Sequence, residues 1–383
     1  MHFNQHVVKT EFPPVTEAAN WVAGREFPHN LPLIDVSQAV PGYATANEVL
    51  ASMAETLQQQ QISKYGHALG LPELRSTYAA TLHDNVHTDQ VAITSGCNQA
   101  FYIAATALCE PGDNMILPLP WYFNHKMTLD MLGVGTTPLP CDPDNQLLPD
   151  PVVAADLIDS RTRAIVLISP NNPTGQVYPP ELIDAFYQLA ANAGIALIVD
   201  ETYCDFRLEN SRPTHHIFDQ ADWFEHAIHL YSFSKAYALA GYRVGALVGS
   251  AELQREVTKV IDCLAICASQ LSQHAALCGM TQATAWREDK RTLMYQRATA
   301  FEQAMEGHDY QLAAIGAYFA YLKHPYPKSS TEVAKFLADE ANLLCLPGDM
   351  FGPGQGQFMR VAFANVAEDK MPEISRRLAE FTV

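Results

Sequence analysis

No run of eighteen apolar residues occurs anywhere in the 383 residues, so the sequence offers no candidate for a membrane-spanning helix. Cations are scarce. Lys and Arg together number 24 against 42 Asp and Glu, and a net charge of −18 argues against a nucleic-acid backbone as partner. That balance still allows a small anionic ligand wherever positive charge collects in a pocket. No C-x-x-C occurs among the eight cysteines, and the closest pair, Cys263 and Cys267, has the spacing of helix packing rather than of a metal knuckle. Reduced thiols and a cytoplasmic setting are expected. Met1-His2-Phe3-Asn4-Gln5-His6 lacks a basic segment followed by an apolar run, so no secretory leader is read there. Repeats, low-complexity tracts and long linkers are also missing. What is present is a composition of 48% hydrophobic and 17% charged residues, enough apolar material for a large core. The length suggests two domains.

Taken in order, residues 1–32 read as an irregular arm with helix-capable pieces, followed by a short strand from Leu33 and a turn at Pro41-Gly42. A helix is predicted over 46–60. Tyr65-Gly66 to Gly70-Leu71-Pro72 is a glycine-rich loop feeding a helix, with Pro72 where a first-turn proline is tolerated. Strands are predicted at 91–94, 114–117, 164–169, 195–199 and 228–233, with helices between them. Strands that are apolar throughout and alternate with helices describe a mostly parallel sheet covered on both faces. In such sheets functional groups gather at the carboxyl ends of the strands, where Thr94–Asn98, Asn172, Asp200 and Lys235 fall. Long helical patterns follow over 251–306. A strand at 316–322, a helix near 330–341, strands near 343–346 and 358–363, and a closing helix over 367–380 complete the chain. The change of pattern near 280 marks a smaller C-terminal domain (281–383) after a large domain (41–280), with residues 1–40 forming an arm and part of the small domain.

One stretch concentrates chemistry: Ser232-Phe233-Ser234-Lys235, with Gly241-Tyr242-Arg243 eight residues on. A lysine at a strand end walled by aromatic and small residues is partly desolvated, which lowers its pKa and enlarges the fraction of free amine able to form a Schiff base. If the strand continued through 234, both serine hydroxyls would face one side. Arg243 adds a planar fork of donors suited to phosphate. An aldehyde-binding amine beside a phosphate cradle points to pyridoxal phosphate (PLP). Read alone, the stretch also fits a loop lysine with capping serines, or the Ser-x-x-Lys of β-lactamases. That family's Ser-Asp-Asn and Lys-Thr-Gly are both absent. Ser95-Gly96-Cys97-Asn98 enters a helix N-terminus, a generic anion site. Pro120-Trp121-Tyr122-Phe123 gathers aromatics past another strand end, which by itself is an ordinary structural cluster.

Together these pieces resemble the class I/II aminotransferases, PLP enzymes of fold type I. The matching residues are Lys64-Tyr65, Gly70 to Arg75, Thr94-Ser95-Gly96, Pro111-Gly112-Asp113, Asn171 to Gly175, Asp200-Glu201-Thr202-Tyr203, Ser232 to Lys235, Gly241 to Arg243, Pro347-Gly348 with Phe351-Gly352, and Arg360-Val361. The resemblance implies an α/β fold with a large, mostly parallel sheet flanked by helices, plus a smaller α+β domain. It implies that Lys235 holds PLP and acts as the base, and that Asp200 pairs with the pyridine nitrogen. Asn172 and Tyr203 would hydrogen-bond the ring's phenolic oxygen, with Tyr122 stacked on the ring and Trp121 as runner-up. The phosphate would lie on Gly96, Cys97, Asn98, Ser232, Ser234 and Arg243. Tyr65 would reach the phosphate of a neighbouring subunit in a homodimer. Arg360 would clamp the substrate α-carboxylate, with Asn172 and Ala39 beside the substrate.

Two departures stand out. Cys97 takes a place where a hydroxyl residue is common, and Ala39 lies where many members have glycine. No second arginine sits in a motif. Arg25, Arg207, Arg212 and Arg287 are the candidates, so a dicarboxylate donor is unsupported. The aromatic load at Tyr43, Trp121, Tyr122 and Phe123 favours an apolar or aromatic side chain. The expected activity is transfer of an amino group between an amino acid and a 2-oxo acid. A PLP-dependent C–S β-lyase or a decarboxylase of the same fold is the alternative. A PLP-binding regulator module is disfavoured by the acidic charge and the lack of a basic domain ahead of the match.

Overall fold

The computed structural model describes residues 1–207 and 213–382. A short strand, β1 (Ile34–Asp35), comes first. Seven strands then build the main sheet: β2 (Val91–Thr94), β3 (Asn114–Pro118), β4 (Gly135–Leu139), β5 (Thr162–Ile168), β6 (Ala196–Asp200), β7 (Ala227–Ser232) and β8 (Gly245–Val248). Five more follow: β9 (Gln311–Gly316), β10 (Phe319–Lys323), β11 (Leu343–Leu344), β12 (Leu346–Pro347) and β13 (Phe358–Val361).

The main sheet has the order β2-β8-β7-β6-β5-β3-β4. Strands β4, β3, β5, β6 and β7 run parallel, and β8 pairs antiparallel with both β7 and β2. The predicted sheet is therefore present, with one reversed strand inside it. Its residues alternate between two cores, as a pleat requires. In β6, Leu197 and Val199 join a cluster with Phe186 and Trp223, while Ile198 joins Phe101, Met115 and Leu230 on the other face. Helix Pro180–Ala193 covers the first face, and helices Cys97–Leu108 and Ala251–Ala265 cover the second.

A second sheet, β12-β13-β10-β9, is antiparallel throughout, and β1 pairs with β11. Its core joins Ile34 and Val36 to Phe301, Leu322, Leu337, Val361 and Ile374. Helices Thr284–Ala304, Ser330–Glu340 and Met371–Glu380 supply the remaining apolar faces. The first 22 residues carry two short helices. Gln5–Lys9 lies against Phe123–Leu132 of the main-sheet side, and Pro14–Val22 lies against Ser330–Glu340.

Several elements depart from expectation. The 251–306 pattern is three helices, Ala251–Ala265, Gln270–Gln282 and Thr284–Ala304. The first break is at Ile266, which takes φ +63°, and Ser269 caps the next helix by accepting from Ser272 N. The strand expected at 316–322 is a tight hairpin between β9 and β10, with Ala317 at φ +46°. The helix expected over 46–60 ends at Thr56. Strand β7 stops at Ser232, and Phe233–Ala236 forms a single helical turn. Ser232 and Ser234 therefore do not alternate along a strand. Ser232 Oγ instead accepts from Ser234 N at 3.3 Å, capping the turn that carries Lys235.

Candidate active site

The carboxyl ends of β5, β6 and β7 open into a cavity of about 450 Å³. Its walls carry Cys97, Asn98, Tyr122, Asn172, Asp200 and Tyr203 together with Ser232, Ser234, Lys235, Arg243, Arg360 and Ala39. These residues come from positions 39 to 360 of the chain, and the fold brings them to one place. Two expected residues do not line it. Gly96 sits behind Arg243, and Tyr65 is 77% exposed on a loop away from this chain's own cavity. Trp121 also faces elsewhere, against Gly352 and Lys126, which leaves Tyr122 as the aromatic in the cavity wall.

Lys235 is held by its backbone. Tyr318 and Tyr43 donate to its carbonyl at 3.3 and 3.4 Å, and the two hydroxyls meet at 2.9 Å. Its Nζ donates to the Ala39 carbonyl and lies 5.9 Å from the Tyr203 ring centre. Burial first, then the positive charges of Arg360 and Arg243, pull its pKa from 10.5 down to about 8. About a tenth of the amine is then unprotonated at pH 7, far more than for a free lysine.

Asp200 is buried at the end of β6. Its Oδ1 accepts from Thr202 N at 3.0 Å, and its Oδ2 faces His125 Nε2 and Cys97 Sγ, each at 3.4 Å. Burial alone would raise its pKa, but His125 and Thr202 more than offset this and hold it below the usual carboxylate value. The site thus keeps a buried carboxylate ionised. The Cys97 sulfhydryl is directed at Asp200. His125 was not singled out from the sequence. Its ring stacks on Phe101 at 3.9 Å between centres, and its only signal was a place in the aromatic run after Pro120.

Three features gather donors at this end of the cavity. Helix Cys97–Leu108 begins after Gly96, whose φ is +87° and which, having no side chain, gives the helix no capping hydrogen bond. Its first N–H groups are free to meet negative charge. A Cβ on Gly96 would fall 2.9 Å from Arg243 Cζ, so only glycine lets the guanidinium lie over the turn. Arg243 itself takes φ +54°, a conformation costly for a side chain of this size and one that collects at functional sites. Ser234 Oγ is buried without a hydrogen-bond partner beside it. On the opposite wall, Arg360 Nη1 donates to Asn172 Oδ1 at 2.9 Å and Nη2 donates to the Ser37 carbonyl. Its Nε has no partner, and burial lowers its pKa to about 10.

A model of the family described as aminotransferase class I and II matches residues 32–378. The chain belongs to that family. It is 27% identical over 387 residues to an aromatic aminotransferase of Arabidopsis thaliana, covering 98% of this chain and 95% of that protein. It is 29% identical over 380 residues to a valine–pyruvate aminotransferase of Mycobacterium tuberculosis, covering 96% of each. Aspartate aminotransferase of Thermus thermophilus, solved with maleate, superposes with a TM-score of 0.90 over the whole of both chains at 23% identity. The fold is the type I fold of the PLP-dependent aminotransferases, as the sequence implied, and the chain is an aminotransferase. No described helix is long and apolar enough to cross a membrane.

Further wall comes from Pro13 and Val15 of the arm, Gln38 and Val40, Phe123 and Asn124 of the aromatic run, and Ile168, Thr202 and Ala240. The cations lining the cavity among the described residues are Lys235, Arg243 and Arg360. Arg25 is bonded to Asp339 and Asn342, and Arg287 to Tyr237 and Asp205. Arg207 donates to the Cys204 carbonyl. Arg212 lies outside the described residues.

Proposed function

We propose that this aminotransferase moves the amino group of an amino acid with an apolar or aromatic side chain to a 2-oxo acid, using PLP bound to Lys235. The observation that carries the reading is an amine with a pKa near 8 sharing one cavity with a buried carboxylate and two separated guanidinium groups. The donor set fits the cofactor. The free N–H groups after Gly96, the orphaned Ser234 hydroxyl, Ser232 and Arg243 would hold its phosphate. Asp200 would hold the proton on its ring nitrogen, and Tyr122 would stack on the ring. Asn172 and Tyr203 would bond its phenolic oxygen. When bound, PLP supplies an electron sink for the pair left at the substrate Cα. Lys235 Nζ takes up and returns the Cα proton, a task suited to a pKa near neutrality. Arg360 binds the substrate α-carboxylate through a planar fork, and its unpartnered Nε is one donor available for it.

Side-chain preference follows from the lining. Pro13, Val15, Val40 and Phe123 offer apolar surface, and among the described residues no cation beyond the three already assigned stands there to pair with a second carboxylate. We further propose a homodimer in which the exposed Tyr65 reaches the phosphate site of a neighbouring copy. The division at residues 40 and 280 would mark the bodies that close on substrate. Eight cysteines without a disulfide among them support a reducing, cytoplasmic setting. A panel of amino donors added to the PLP-loaded protein tests the reading. Apolar and aromatic donors should bleach the bound cofactor's visible absorbance, and a 2-oxo acid should restore it. Release of pyruvate and ammonia with the absorbance unchanged would instead assign C–S lyase chemistry.

A further inference from the structure

Directly beneath the site lies a second buried carboxylate that the proposed reaction does not use. Asp200 faces the helix Cys97–Leu108 side of the main sheet. Glu201, one residue on, faces the other side, in keeping with the alternation of Leu197, Ile198 and Val199. Its Oε2 lies 3.2 Å from His229 Nδ1 and 3.7 Å from His215 Nε2. All three side chains are buried. His229 stands on β7, three residues before Ser232, and Glu201 N donates to the Leu230 carbonyl of the same strand at 2.9 Å.

The outer contacts fix the tautomers. Ile217 N donates to His215 Nδ1 at 3.3 Å, so the neutral ring carries its proton on Nε2, facing Glu201. His229 Nδ1 faces Glu201 while its Nε2 meets the Tyr78 hydroxyl at 2.7 Å, so that hydroxyl donates to the ring. Glu201 Oε2 thus sits between two imidazoles, with His229 Nδ1 the nearer. Burial would raise the Glu201 pKa, but His215, His229 and the Thr214 hydroxyl bring it down to about 2. By spacing alone, with ligand atoms within 4.8 Å of one another, the triangle would also admit a zinc ion. The His215 tautomer opposes this, because the nitrogen a metal would need already bears the proton.

We propose that Glu201 is a positioning residue: its buried carboxylate, 3.2 Å from His229 Nδ1, holds the end of β6 against β7 and so fixes where Asp200 stands relative to Lys235. This rests on the PLP reading above. The two strands that meet here deliver the cofactor's two opposed partners, a carboxylate from β6 and an amine just past β7. The ladder between these strands ends at the Asp200–Leu230 pair, and the Glu201 side chain reaches back across it to His229, the partner of Val199.

The test uses the PLP-loaded full chain and three variants. Glu201→Gln keeps shape and removes charge. His229→Leu removes the donor, and His229→Asn restores a donor nitrogen near the place of Nδ1. PLP dissociation constants, the pH at which the bound cofactor's visible absorbance titrates, and melting temperatures are measured for each. Glu201→Gln and His229→Leu should weaken PLP about tenfold and move the spectral titration, and His229→Asn should recover most of both. If Glu201→Gln lowers only the melting temperature and leaves affinity and titration at wild-type values, the role is merely structural and the proposal is overturned. One-to-one zinc binding by the wild type, lost in Glu201→Gln, would overturn it in favour of a metal centre. Wild-type protein that takes up no PLP would overturn the functional reading and this inference together, whereas unchanged variants of a PLP-binding wild type overturn this inference alone.

Discussion

Replacing Lys235 by methionine should stabilise the cofactor-free protein at pH 7. The native site lowers the lysine's pKa from 10.5 to about 8, so at neutral pH the fold must hold an ammonium that it disfavours. At about 1.4 kcal/mol per tenfold change in proton affinity, this costs roughly 3 kcal/mol. Part of the side chain keeps contact with solvent, which makes that figure an upper bound. The variant also loses the hydrogen bond to the Ala39 carbonyl, which is worth about 1 kcal/mol. Methionine is of similar length and relieves the repulsion from Arg360 and Arg243, so a net gain of about 1–2 kcal/mol is expected. The sign changes with pH in a defined way. Below pH 8 both states hold the proton and the whole cost is present. Between pH 8 and 10.5 the native lysine has lost its proton while the unfolded one retains it, so wild-type stability rises through that window. Above 10.5 the cost is gone, and the variant should be the less stable protein by its missing hydrogen bond. Urea unfolding of both apoproteins at pH 7, 9 and 10.5, followed by tryptophan fluorescence, measures the difference. A gap that is constant across these pH values, or a variant less stable at pH 7, would refute the reasoning.

Three further outcomes are expected. Gly96→Ala places a Cβ 2.9 Å from Arg243 Cζ at a φ of +87°, and should weaken PLP binding by tenfold or more in a fluorescence titration. Arg360→Lys keeps the charge but loses the fork that spans Asn172 and Ser37, and kcat/KM for the amino donor should fall about 100-fold, or ~3 kcal/mol, in steady-state kinetics. Gly175→Ala would drive a Cβ to within 2.5 Å of Gly316 N at a φ of +78°, and should cost about 2 kcal/mol or more in urea unfolding.

Much of the site was legible because its residues sit at strand ends, where apolar runs stop on a polar residue. Asp200 closes β6 and was found this way, whereas Ser232 was found beside Lys235 in Ser232-Phe233-Ser234-Lys235, with the strand expected to run on to 233. The open helix start at Cys97 was legible as a glycine before a helix. What stayed hidden depends on tertiary contact rather than on local pattern. His125 has no periodic signature and becomes visible only when Phe101 and Asp200 are brought to its two sides. Glu201 was read as part of a motif, yet its partners lie 14 and 28 residues further along and no spacing rule links them. The helix break at Ile266 escaped because a β-branched residue is a poor candidate for positive φ, so the sequence carries no glycine there to announce it. The β9–β10 hairpin was missed for the same reason, since Ala317 takes the place a glycine would mark.

The segment 1–22 at the start of the arm, which supplies Pro13 and Val15 to the cavity, belongs to no sheet. Its residues obey no strand register, so exchanging one of them disturbs no ladder of hydrogen bonds and shifts none of the groups that handle protons. Appetite for one side chain over another can therefore drift in this enzyme through a few changes near its beginning, at small cost to folding, while the machinery that performs the transfer is inherited intact.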